Sequence, residues 1–359
     1  MHIILDRTDS LFDTFAAGLQ GGLYATSSFE YKSLTRFFAH LILYLHLIDL
    51  PTPPLSTQII LEAYIALLEN AGQRELIAMY AGALGENAVE RYAMFLVSLP
   101  LDVSPNERKR TLLRAAEFGL DVTRVAIVAA ERSMDLGLRK LPSSEDEDAL
   151  PSLISPPHPP SEDETLLLRS IEWTTFLGDM EDESQSTLPL ALEQTNVILR
   201  HLLARGRVKL AQGFVDSLPG ELANVGEPEE NATEYLHYRQ FFVVWEGLER
   251  VVECEGRGAS FGLSTGNVQG KREWMVEYKE LVERAYEQVV GLLTTEWLVS
   301  ESDGDRLDCV FCAHFFSLLM LIMIYSPTKC APQNSTSLHP GTHPQTSCPP
   351  RHVSPLFPR

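Results

Sequence analysis

Residues 34–48, LTRFFAHLILYLHLI, are apolar on almost every side. A helix of that kind is stable only when neighbours cover more than one of its faces, so the chain around it must build layered helices. Arg36, His40 and His46 interrupt the run as a membrane span. The stretch is therefore expected to be the local core of a helical stack.

The pattern on either side supports an all-α fold. From Ser33 to Gly137 no stretch alternates apolar and polar residues as a half-buried strand does. Ile60, Ala63, Tyr64, Leu67 and Leu68 recur at helical spacing and stop at Gly72, a residue suited to a left-handed cap. Helices are predicted over 73–82 and 87–99, the latter with Val89, Tyr92, Leu96 and Leu99 on one face before Pro100. Ser104-Pro105-Asn106-Glu107 combines an N-cap, a proline at the first helical position and an N3 acid. That helix is predicted to end near Phe118, with Gly119 as its breaker and Asp121 capping the next, which runs to about Leu138.

Two stretches break the pattern. Residues 142–164 carry seven acidic residues, six prolines and no lysine or arginine, a composition that reads as a disordered acidic loop. Residues 256–270 contain five glycines and read as a flexible linker. Between and after them, helical signals cover 166–177, 188–205, 208–218, 229–255 and 271–298. Beyond Tyr325 the sequence turns to Pro, Ser, Thr and His, so 326–359 reads as a disordered tail. The predicted organisation is a helical part over 1–141, the acidic loop, a second helical part over 165–325 and the tail. Short turns between antiparallel helices suggest an α-solenoid, although no repeat period is visible.

Composition excludes several classes of function. Lys and Arg total 29 against 49 Asp and Glu, a formal charge of −20 that repels phosphate backbones, so direct nucleic-acid binding is not expected. Five cysteines, four of them after residue 300, do not form the dense even framework of a secreted scaffold. The opening MHIILDRTDS lacks the uninterrupted apolar region of a signal peptide.

Motifs for chemistry are equally sparse. There is no Gly-x-x-x-x-Gly-Lys. Gly256-Arg257-Gly258 follows a helix and not a strand, so it is no phosphate cradle. Cys309-x-x-Cys312 has half of a zinc spacing, but no second pair follows at a typical distance. His40, His46, His201 and His237 show no metal-ligand spacing, and Glu181 with Glu183 reads as solvated charge. No catalytic, cofactor-binding or metal residue is assigned. Residues 309–325, CVFCAHFFSLLMLIMIY, carry no formal charge. They read as a buried helix or, alternatively, as a short membrane anchor at the lower length limit for a span.

The run RFFAHLILYLHLIDL, followed by YIALLENAGQRELIAMYAGALGENAVERYAMFLVSL and AAEFGLDV, resembles the structural nucleoporins of the nuclear pore's Y-shaped coat, the 84-kDa (yeast) and 107-kDa (vertebrate) family. IEWTTFL and ALEQTNVILRHLLARGRVKLAQGFVDSLP continue the likeness, which covers about residues 34–298. The resemblance implies an α-solenoid without catalysis, at the nuclear pore and nuclear envelope, supporting transport of protein and mRNA. It implies hub nucleoporins of the Y complex and the 133-kDa stalk member as partners, with membrane contact indirect at most. Measured against that family, the chain is expected to be truncated at both ends. The helix carrying Trp274, Tyr278 and Leu281 lies nearest the stalk side and is the candidate partner-facing helix, although self-packing explains those residues equally well. A helical-repeat adaptor of another coat or regulatory complex is the alternative, because solenoids of different function share one packing signature.

Overall fold

The computed structural model describes residues 8–24, 28–140, 158–178, 187–261 and 268–294, and every regular element among them is helical. The first half contains α1 (Thr8–Gln20), α2 (Phe29–Leu47), α3 (Pro54–Asn70), α4 (Arg74–Gly82), α5 (Ala88–Val97), α6 (Pro105–Glu117) and α7 (Val122–Lys140). The second contains α8 (Glu162–Thr175), α9 (Leu188–Ala204), α10 (Val208–Ser217), α11 (Glu229–Phe261) and α12 (Val268–Thr294).

Local chemistry places the boundaries. Ser104 Oγ accepts the Glu107 N–H at 3.3 Å while Pro105 opens α6, satisfying a backbone donor that the helix itself cannot. Asp121 Oδ1 accepts the Arg124 N–H at 3.0 Å ahead of α7. Gly72, Gly119 and Gly206 close α3, α6 and α9 with φ of 68°, 75° and 68°, the left-handed cap that a side chain disfavours.

Two boundaries differ from expectation. The acidic stretch 142–164 gives way to helix at Glu162, because Ser161 and Glu164 form a reciprocal capping box, with bonds of 3.1 and 2.8 Å. The glycine-rich stretch 256–270 is helical up to Phe261 and again from Val268, narrowing the candidate linker to 262–267, outside the described residues. Helix α11 keeps its last turns because α12 packs on them. Helix α1 falls within the helical part predicted over 1–141, ahead of the helices assigned one by one; Phe12, Phe15 and Ala16 bury one of its faces.

The helices stack as a solenoid in which each element packs on near neighbours in the chain. Helices α1, α2 and α4 all pack on α3, α5 on α7, α8 on both α7 and α9, and α11 on α9 and α12. Two apolar cores result. The first gathers α1–α7 around Ile42, Ile60, Ile65, Ile77, Tyr92 and Leu112. The second gathers α9–α12 around Leu199, Tyr238, Phe241 and Trp245. Helix α8 and the turn after it join them, giving Trp173 and Leu177 to the first core and Leu167 and Ile171 to the second.

The α7–α8 junction is tight. A Cβ on Gly137 would lie 3.1 Å from Leu167 Cβ, so the absent side chain sets how close the helices come. Trp173 Nε1–H donates to Ser133 Oγ at 3.3 Å across the same seam. Arg108, 3% exposed, reaches from α6 to α8, where its Nε–H donates to Glu172 at 2.9 Å, and it also bonds the Val103 carbonyl. Nearby, Arg207 makes a bidentate pair with Glu164, both contacts at 2.8 Å, tying the start of α10 to the start of α8.

Candidate assembly surfaces

Helix α2 is apolar on its buried face and along the flank beside it. Its inner face, Phe38, Ala39, Ile42 and Leu45, is buried. Phe38 stacks on Phe15 of α1 with ring centroids 4.1 Å apart. On the flank beside it Leu34, Phe37, Tyr44 and Ile48 are exposed, while Leu41, at the same spacing, is partly buried against the first core. Phe37 is 52% exposed, Tyr44 59% and Leu47 80%. The expectation that residues 34–48 form core on all sides thus holds for the inner face only. No later helix of this chain covers the outer one among the described residues.

Around that face the groups are held in place. His40 Nδ1 lies 2.7 Å from the Arg36 carbonyl, so that nitrogen carries the proton and donates, leaving Nε2 to accept from Tyr80 O–H at 3.3 Å. Burial, then the neighbouring Tyr64, push the Tyr80 hydroxyl up to about 12, which keeps it a donor. His40 is therefore a structural link between α2 and α4. His46 contacts Thr52 Oγ1 at 3.0 Å, fastening the end of α2 to the following turn. Exposed Lys32 and Arg36 border the stripe on one side.

Scattered singly, exposed apolar residues are ordinary; a contiguous set along one helix face is not. Covering Phe37, Tyr44, Leu47 and Ile48 would contribute on the order of 1.5–3 kcal/mol per side chain before association costs.

At the other end, Trp274, Tyr278 and Leu281 face α11 within the chain. Trp274 Nε1–H donates to the Cys254 carbonyl at 2.7 Å and its ring stacks on Tyr278 at 5.5 Å. Tyr278 and Leu281 pack, partly buried, on the second core. Arg257 pairs with Glu277 at 2.6 Å beside them. The residues that α12 turns away from α11 are instead Met275, Val276, Tyr286 and Val290, all exposed. Sequence periodicity favours the strongest stripe on a helix, and on α12 that stripe serves the protein's own core. A weaker second stripe at the flank was the available signal for the open side.

Groups with chemical potential do not converge. Among the described residues no group of three or more His, Cys, Asp or Glu could hold a metal ion. Burial, then Arg205, lowers the His201 ring to about 4, and burial lowers His237, so both are neutral parts of the packing at physiological pH. Glu181, Glu183, Cys309 and Cys312 lie outside the described residues. No described helix is long and apolar enough to cross a membrane, and residues 309–325 lie outside that range as well.

Stacked helices with open apolar faces among the described residues can now be set beside known proteins. The chain is 23% identical over 318 residues to nucleoporin nup107 of Schizosaccharomyces pombe, an alignment covering 83% of this chain and 37% of that protein. It is 30% identical over 220 residues to nuclear pore complex protein Nup107 of Rattus norvegicus, and 29% to that of Homo sapiens, covering in each case 60% of this chain and 21% of the relative. The chain thus spans well under half the length of these relatives. The sequence profile of the family described as nuclear pore protein 84 / 107 matches residues 1–310, most of the chain, so this protein belongs to that family.

Proposed function

We propose that the chain is a non-catalytic scaffold component of the nuclear pore complex at the nuclear envelope, working through helix-to-helix docking in support of protein and mRNA transport. Its partners in this reading are other scaffold nucleoporins of the Y-shaped complex, hub members and the 133-kDa stalk member, with no cofactor and no direct contact with nucleic acid or bilayer. Family membership supports the setting, and the names of the relatives agree with it. The observation that carries the mode of action is the outer face of α2, an exposed apolar stripe beside a packed inner face. Stable interfaces bury about 1,200–2,000 Å² with an apolar centre, and a helix face of this type supplies such a centre.

The test is affinity purification of the tagged protein from its native cell, with its position read by fluorescence, for the wild type and for Phe37→Glu/Tyr44→Glu. The wild type is expected at the nuclear rim with nucleoporins co-purifying. The double variant, folded and equally abundant, is expected to lose them. A wild type that is stable yet diffuse, with no nucleoporin recovered, would overturn the reading.

A further inference from the structure

We draw no further inference here: the strongest candidate, the exposed apolar turn between α2 and α3 where Leu47, Leu50 and Leu55 stand open beside the flank of α2, carries nothing further, because nothing among the described residues shows what covers it.

Discussion

Trp274 of α12 packs directly on Gly258 of α11, where a Cβ would collide with three atoms of the indole ring. The same indole donates to the Cys254 carbonyl one turn earlier. The glycine therefore sits inside a helix as the only residue small enough to admit the ring, and not as a point of flexibility.

Gly258→Ala is accordingly expected to act against its own helix propensity. Alanine in a helix interior normally gains about 1 kcal/mol over glycine, and Gly256→Ala, with nothing within 4 Å of the added methyl, should show that gain. At Gly258 the collision forces Trp274 aside, an overpacking cost of about 1–3 kcal/mol. Urea unfolding of both variants decides the matter. Equal stabilisation at the two positions would show that the indole does not rest on Gly258.

Arg108 supplies a second test. Its guanidinium is buried between α6 and α8, bonded to Glu172 and to the Val103 carbonyl. Removing it leaves a carboxylate and a carbonyl without their donor, so Arg108→Ala should cost about 2–4 kcal/mol. Arg108→Lys keeps the charge but cannot span both acceptors with a planar fork, and should recover less than half of the loss. A shift in unfolding midpoint within error for Arg108→Ala would mean the brace contributes nothing.

Much of this architecture was legible in the residues, and the reasons are local. Ser104, Gly72, Gly119 and Gly206 mark boundaries through their own backbone chemistry, so the helices they bound fall where expected. Gly256 and Gly258 misled because a glycine that loosens a chain and a glycine that admits a neighbour are the same letter; only the position of Trp274 separates them. Glu162–Glu164 likewise look like acidic loop until Ser161 and Arg207 are seen to hold Glu164. The all-apolar character of α2 was visible, but not which face the fold would leave open, because that depends on where α1 and α3 come to lie.

The two faces of α2 can be separated by neighbouring residues. Phe38 is buried against Phe15, and Phe38→Ala should cost about 3–5 kcal/mol through the cavity it leaves. Phe37 lies on the flank, 52% exposed and with its ring edge-on to Phe38 at 5.4 Å, and Phe37→Ala should cost only about 0.5–1.5 kcal/mol. If the outer face is used for docking, the second variant should still lower nucleoporin recovery in purification. Thermal melts and purification of both variants give the two readouts. A Phe37→Ala chain that unfolds as easily as Phe38→Ala would show that the outer face is covered by the chain itself.

Acid should weaken the second core through His201. Burial lowers this ring from the ordinary value near 6.5 to about 4, with Arg205 adding to the effect. Below pH 6.5 the unfolded chain takes up a proton that the folded chain refuses, so stability falls as pH drops from about 6.5 to 4 and levels off below. The full shift would correspond to about 3 kcal/mol, and partial exposure of the ring reduces this to about 1–2 kcal/mol. His237, also lowered by burial, acts in the same direction. Burial raises the Glu164 carboxyl, but Arg207 and the Ser161 backbone N–H more than reverse this. Its folded value therefore lies below 4.5, and its contribution is lost only as pH falls below about 4.5, under the pH values compared here. Urea unfolding of wild type and His201→Gln at pH 7.5, 6.0 and 5.0 tests the assignment: the wild type should lose stability across the series, and the variant should lose distinctly less. Identical slopes would place the acid sensitivity elsewhere, with His237 the next residue to replace.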